Sequence, residues 1–421
     1  MRKYLDTTWD FRKANTKTLT HCFHSYPAMM IPQVAGRLID RYIGSNPRYR
    51  VLDPFCGSGT VLVESKIKGL ESWGIDINPL ARLIAKVKTT PIDINELRIS
   101  YEKLSENLTE IFKNKTNFVK YSIPNFFNID YWFKPDVIRE LSVIKSEILK
   151  SKNPDIVDFY KIVFSETVRE SSNTRSGEFK LFRIPEEKLK GYNPNVLSIF
   201  LKKAKRNIKG MKNYLNTLNN NVEYEKIPVH ILDEDTRQKT SVPDSSIDLI
   251  VTSPPYGDSK TTVAYGQYSR LSLQWLGFDQ KECREIDKVS LGGKATKDNG
   301  ARKISQSLDK TLKKIEKIDQ KRAKDVSNFY NDMLLCLNEL NRVMAPKSNI
   351  CFVLGNRTVK GVRIPTDNIL VEMFNNFGFR HRETIIRNIP NKTMPLRNSP
   401  TNIPGKVEKT MLNEYIVIVG K

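Results

Sequence analysis

Val51-Leu52-Asp53-Pro54-Phe55-Cys56-Gly57-Ser58-Gly59-Thr60 decides the fold. It begins as a short apolar strand, reaches an acid, and turns through two glycines into a helix carrying Val61, Leu62 and Val63. Glycine admits the positive φ such a turn needs and lets the backbone approach a ligand closely. The next strand ends at Trp73-Gly74-Ile75-Asp76. A strand, a glycine turn, a helix and a second strand ending in an acid make the nucleotide-binding half of a doubly wound sheet, with the second acid on ribose hydroxyls. The spacing is not G-x-G-x-x-G and no Gly-Lys-Ser/Thr follows, so this is neither the dinucleotide fingerprint nor a P-loop. Asp53, just before the turn, favours a ligand with a cationic end over a pyrophosphate.

A second segment carries chemistry. Ile247 to Val251 is an apolar run that reads as a buried strand, and Thr252-Ser253-Pro254-Pro255-Tyr256 follows it. Two prolines restrict the turn and remove two backbone donors. Carbonyl oxygens are then left as acceptors, and the Tyr256 ring offers a flat face. That arrangement suits a planar ring bearing an amino group; a strand followed by a plain proline turn is the structural alternative.

Together these segments resemble the amino-methyltransferases of DNA. In that family the D-P-F-x-G-S-G-T segment binds S-adenosyl-L-methionine and S-P-P-Y holds the target base. His24-Ser25-Tyr26-Pro27-Ala28-Met29-Met30-Ile31-Pro32 looks like the family's N-terminal cofactor segment, beside the methionine part. Leu232-Asp233-Glu234-Asp235-Thr236-Arg237 looks like its G-D-x-R segment, whose acid meets the adenine amino group. Glu234 replaces the glycine, which leaves Asp233 and Asp235 as alternatives, and Asp235 aligns better. The resemblance implies a cofactor set of Tyr26, Pro27, Asp53, Phe55, Gly57, Gly59, Thr60, Asp76, Ile77 and Asp235. It implies a base-binding and catalytic set of Ser253, Pro254, Pro255 and Tyr256, with no metal, since the sulfonium is itself the leaving group.

Composition points the same way. The 421 residues include 69 Lys+Arg against 47 Asp+Glu, a net charge of +22 that favours a polyanionic partner. Double-stranded DNA is the partner expected, with a cognate restriction endonuclease acting independently. No apolar run is long enough for a membrane span, and the N-terminus lacks the apolar core of a signal peptide. Cys22, Cys56, Cys283, Cys336 and Cys351 are scattered without paired or zinc-site spacing, which suits a reducing cytoplasm.

The expected fold is an α/β, doubly wound, Rossmann-like methyltransferase sheet, mostly parallel, with a large helical insertion. The catalytic domain is read as residues 1–90 and 226–421. Residues 91–225 show apolar residues three and four apart, as at Leu97, Tyr101, Leu104 and Leu108, and read as a helical insertion that recognises DNA. Near its end Lys202, Lys203, Lys205, Arg206, Lys209 and Lys212 form a basic run read as a phosphate-backbone contact, against the alternative of a solvated helix face. The stretch from Arg302 to Lys324 has a thin apolar stripe and is expected to order on DNA. Pro390, Pro395, Pro400 and Pro404 mark a stiff loop that borders the target pocket in the resembled family.

The expected reaction is transfer of a methyl group to the exocyclic amino group of cytosine (N4) in duplex DNA. Ser at position 253 leans toward cytosine within the family, and adenine N6 is the alternative. An RNA methyltransferase is a further alternative, though such enzymes usually carry D-P-P-Y; a catalytically silent DNA-binding subunit is the last. Carbon-5 methylation needs a cysteine nucleophile after a proline, and none of the five cysteines follows one.

Overall fold

Eight strands form one sheet in the computed structural model, which describes residues 2–43, 46, 48–175, 177–219, 222–258, 262–295, 299–389, 397–398, 408–409 and 411–421. In chain order they are β1 (Lys3–Leu5), β2 (Arg50–Asp53), β3 (Glu71–Ile75), β4 (Val229–Leu232), β5 (Ile247–Thr252), β6 (Met344–Leu354), β7 (Arg380–Asn388) and β8 (Asn413–Gly420). Their order across the sheet is β1-β7-β8-β6-β5-β2-β3-β4. Neighbours are parallel except around β8, which runs antiparallel to both β6 and β7. From β2 the chain proceeds outward to β3 and β4, and from β5 it proceeds the other way to β6. A crevice therefore opens at the carboxyl ends of β2 and β5, where ligands bind in such sheets.

The first helices are α1 (Pro32–Tyr42), α2 (Thr60–Lys66), α3 (Pro79–Thr89), α4 (Ile94–Lys113), α5 (Pro135–Ile148), α6 (Pro154–Ser171) and α7 (Val196–Asn219). Those that follow β5 are α8 (Tyr265–Leu276), α9 (Gln280–Val289), α10 (Gln306–Glu316), α11 (Gln320–Val343) and α12 (Thr366–Asn376). Strand side chains alternate between the two faces. Val51, Leu249, Val251 and Cys351 join Val34 and Leu38 of α1 in one core. Leu52, Ile250, Ile350 and Phe352 join Leu337 of α11 and Phe374 of α12 in another. Both faces are covered, which is why the central strands read as continuous apolar runs.

The insertion is helical, as its spacing predicts. Its core is continuous with Leu80 and Ile84 of α3 and Leu271 of α8. Trp275 of α8 meets Phe126, Phe133 and Phe164 of the insertion edge-on, with ring centroids 6.1, 5.6 and 6.0 Å away. Such edge-to-face pairs add to the burial of large rings.

Two segments depart from the expectation. β1 was not foreseen: it pairs parallel with β7, Lys3 opposite Thr384, and Tyr4 donates to Glu383 at 2.8 Å. Part of the stretch from Arg302 to Lys324 is already packed, because Leu308, Leu312 and Ile315 of α10 are buried against α11 and α12. Ser305 caps α10 by accepting from Leu308 N at 3.1 Å, and donates to Glu372 of α12 at 2.6 Å. Three buried apolar residues with a cap suffice to hold this helix on the sheet's own helices, so it does not wait for DNA to order it. The prolines at 390, 395, 400 and 404 lie outside the described residues.

Candidate active site

The glycine turn is built to bring main-chain donors against an acid. Gly57 adopts φ +48° and donates to Asp76 Oδ2 at 2.9 Å, while Asn78 N donates to Asp76 Oδ1 at 2.8 Å. Gly59 adopts φ +74°, and a Cβ there would stand 2.8 Å from Ala85 Cβ, so its absence lets α2 pack closely on α3. Asn78 caps α3 and turns its amide to Tyr26 Oη at 3.0 Å. Tyr26 is thereby held over the turn, stacked on Tyr265 with centroids 5.9 Å apart.

The second motif is tied directly to the first. Thr252 Oγ1, at the end of β5, donates to Asp53 Oδ1 at 2.6 Å, at the end of β2. Phe55 N donates to the same oxygen at 3.1 Å. This junction sits where the strand order reverses. One cavity opens beside it, lined by Tyr26, Pro27, Asp53, Phe55, Gly57, Thr60, Asp76, Ile77, Asp235, Ser253 and Pro255. Gly59, Pro254 and Tyr256 stand next to these residues but do not line it. Pro254 is buried. Tyr256 is half-buried; its hydroxyl accepts from Ser253 Oγ at 3.4 Å and donates to Glu414 Oε1 at 3.1 Å.

The two candidate acids after β4 part company. Asp233 projects to solvent and pairs with Arg82 at 2.6 Å. Asp235 faces the cavity, clasped by Arg237 through Nε at 3.0 Å and Nη2 at 2.5 Å. Arg237 also reaches Asp332 at 3.0 Å, so its charge is already shared between two carboxylates.

Electrostatics give the cavity a preference. Burial pushes the Asp53 carboxyl up to about 7, with the nearby Asp76 charge adding to the shift. Burial raises Asp76 too, against the pull of the Asn78 and Gly57 N–H groups and Arg82. Asp53, buried, and Asp76, half-buried, lie beside arginines already engaged with other carboxylates, and so favour a cation. S-adenosylmethionine, with its sulfonium and ammonium, satisfies that demand, and a pyrophosphate does not. Burial also raises the Cys56 thiol well above its usual value, so Cys56 is a packing residue in the turn.

The basic run divides along α7. Lys202, Lys205, Lys209 and Lys212 are exposed. Lys203 and Arg206 turn inward instead, which corrects their reading as free phosphate contacts. Lys203 pairs with Glu170 at 2.6 Å and Glu166 at 3.3 Å, and Arg206 pairs with Glu166 at 2.6 Å. Burial alone would raise Glu166, but His24, Lys203 and Arg206 outweigh it and hold the carboxyl down to about 2. These two cations therefore neutralise a buried acid beneath the N-terminal segment.

Sequence reasoning missed Asn78, Thr252, Tyr265, Arg237 and Glu414 as parts of the site. Asn78 had a visible signal, an N-cap residue before Pro79. Thr252, Tyr265 and Glu414 act through partners remote in sequence, and Arg237 joins its near neighbour Asp235 to the remote Asp332.

A mostly parallel, doubly wound sheet with this turn and this acid-lined cavity defines an S-adenosylmethionine-dependent methyltransferase. A family model described as DNA methylase matches residues 2–87. The chain is 42% identical over 420 residues to the Type II methyltransferase M.MvaI of Kocuria varians, covering 97% of this chain and 92% of that protein. It is 22% identical over 419 residues to the Type II methyltransferase M.BsoBI of Geobacillus stearothermophilus, covering 87% of this chain and 80% of that one. The chain belongs to the Type II DNA methyltransferases of restriction-modification systems. S-adenosylmethionine is the methyl donor, and it supplies an electrophilic methyl group. No helix among the described residues is long and apolar enough to cross a membrane.

Proposed function

We propose that this chain methylates the exocyclic amino group of cytosine at N4, in duplex DNA at a specific site, as the modification half of a restriction-modification system in the cytoplasm. Its cognate endonuclease acts independently. The observation that carries this reading is the Thr252–Asp53 hydrogen bond at 2.6 Å. It joins the cofactor turn to Ser253-Pro254-Pro255-Tyr256, so that Ser253 and Pro255 border the same cavity as Asp53 and Asp76.

In this reading Asp53 and Asp76 face the cationic and ribose parts of the donor, and Asp235 meets the adenine amino group. The target base is extruded from the duplex, as base-modifying enzymes require. Ser253 Oγ and the Pro254 carbonyl accept the amino hydrogens, and the Tyr256 ring stacks on the base. An amino group conjugated to its ring is a poor nucleophile, so rate comes from holding its nitrogen in line with the methyl carbon. Residues 91–225 serve as the DNA-recognition part. In support, Lys202, Lys205, Lys209 and Lys212 are exposed, and Arg183 and Arg284 lie over the exposed rings of Tyr131 and Phe127, 4.6 and 5.0 Å from their centroids.

The test is methylation of whole-genome-amplified duplex DNA with a labelled donor, followed by hydrolysis to nucleosides and mass spectrometry. N4-methylcytosine is expected. N6-methyladenine would transfer the same geometry to adenine, and 5-methylcytosine would refute the amino-group assignment.

A further inference from the structure

Ser253, Tyr256 and Glu414 form a directed chain of hydrogen bonds. Ser253 Oγ donates to Tyr256 Oη at 3.4 Å, and Tyr256 donates onward to Glu414 Oε1 at 3.1 Å. Ser253 borders the cavity at one end. At the other end the Glu414 side chain keeps 19% of its surface exposed. The chain thus leads from the reacting centre to solvent. Arg387 Nη1 donates to the other Glu414 oxygen at 2.7 Å, and Arg387 is itself only 5% exposed. That buried ion pair fixes the carboxylate and leaves Oε1 turned toward Tyr256.

A serine hydroxyl is a weak base and cannot keep a proton at neutral pH, so an onward acceptor is needed. We propose that Glu414 is the terminal acceptor of this relay, taking up through Tyr256 and Ser253 the proton that the target amino nitrogen loses on methylation. The assignment rests on amino methylation of DNA being the activity. As the N–C bond forms, the S–C bond of the donor breaks and its electron pair stays on sulfur. The nitrogen then holds one hydrogen too many. That proton passes to Ser253 Oγ as the Ser253 hydroxyl proton moves to Tyr256 Oη and the Tyr256 proton to Glu414 Oε1. A sulfonium cation and a carboxylate become a neutral thioether and a neutral acid, so charge balances, and the acid discharges to solvent. Glu414 does not line the cavity and is a positioning and proton-accepting residue acting through Tyr256.

Among the described residues, the charged and titratable groups around Glu414 are Arg387 on β7, Tyr256 after β5 and, behind Arg387, Asp10 with its partner Arg12. The Asp10 carboxylate accepts from Asn388 N at 2.8 Å and Asn388 Nδ2 at 3.0 Å. Asp53 faces Thr252 and the donor side, not this relay.

Glu414→Gln keeps an acceptor for the Tyr256 hydroxyl but cannot take a proton. Tyr256→Phe keeps the ring and breaks the relay. Single-turnover methylation of whole-genome-amplified duplex DNA is measured for the wild type, both variants and the double variant, in ordinary and in deuterated water. Donor affinity by calorimetry and thermal unfolding are followed in parallel. Each single change should slow methylation about a hundredfold, the lower end of general acid–base contributions. The double variant should be no slower than the slower single, donor affinity should hold, and the solvent isotope effect of the wild type should fall in Glu414→Gln. Wild-type rates in Glu414→Gln, or an unchanged solvent isotope effect, overturn the relay while leaving the enzyme assignment intact. A wild type that methylates no DNA overturns the assignment itself, and the relay with it.

Discussion

Replacing Asp53 with Asn removes a charge and leaves the shape almost unchanged. The new amide oxygen can still accept from Thr252 Oγ1 and Phe55 N, which stand 2.6 and 3.1 Å from Asp53 Oδ1. Burial raises the Asp53 carboxyl from its usual 3.8 to about 7. The folded protein therefore binds a proton that the unfolded chain has released between these values. That binding stabilises the fold fully below the usual value and is lost as pH rises through about 7. A shift of about three units at about 1.4 kcal/mol each gives an upper bound of about 4 kcal/mol. Without donor, Asp53→Asn should gain stability over the wild type as pH rises from about 5 to about 8, by up to about 2.5 kcal/mol, since part of the shift lies below that window. Donor binding should show the opposite. With a carboxyl at about 7, the ionised fraction is about a tenth at pH 6 and about nine tenths at pH 8, so wild-type affinity should rise about ninefold over that span through this group. Asp53→Asn should lack that rise and bind the donor more weakly at pH 8. Denaturant titrations at several pH values give the first difference, and calorimetry gives the second. Parallel stability curves for the two proteins, with parallel donor affinities, would refute the reasoning.

Asp76→Ala deprives Gly57 N and Asn78 N of their acceptor, and donor affinity by calorimetry should fall by about 2–4 kcal/mol. Neutralising Lys202, Lys205 and Lys209 together should lower the salt slope of DNA binding by about two to three units, whereas an unaltered slope returns them to a solvated face. Gly59→Ala meets both the positive φ and Ala85, so a loss of at least about 1–2 kcal/mol is expected by denaturant titration. Tyr256→Ala should cost about 1–3 kcal/mol of base stacking, read as slower single-turnover methylation with donor affinity unchanged.

The elements that sequence placed well are those whose cause is local. Ile247–Thr252 and Glu71–Ile75 form where the apolar runs before Ser253 and Asp76 predict strands, because an apolar run is a short-range pattern. β1 escaped because its three residues are held by the edge of β7, each paired with a residue 381 positions later in the chain. The inward turn of Lys203 and Arg206 depends on Glu166, on a different helix. In the site, both motifs were visible, but the bond joining them was not, since Thr252 and Asp53 are 199 residues apart. Asp235 could be separated from Asp233 only once the cavity had a side. Glu414 carries no local signal at all; it becomes meaningful through Tyr256, 158 positions away.

The continuous packing of Trp275 against Phe126, Phe133 and Phe164 bears on how such a protein can change its target sequence. Cutting out residues 91–225 would expose Trp275 and Leu271 of α8, each representing about 1.5–3 kcal/mol of burial, and α8 begins at Tyr265 on the cavity wall. On the proposed assignment of residues 91–225 to DNA recognition, a cassette exchange of the whole segment would therefore disturb the chemistry along with the address. New specificity is more accessible by altering surface residues on the helices already in place, one contact at a time, with the interior left as a shared foundation.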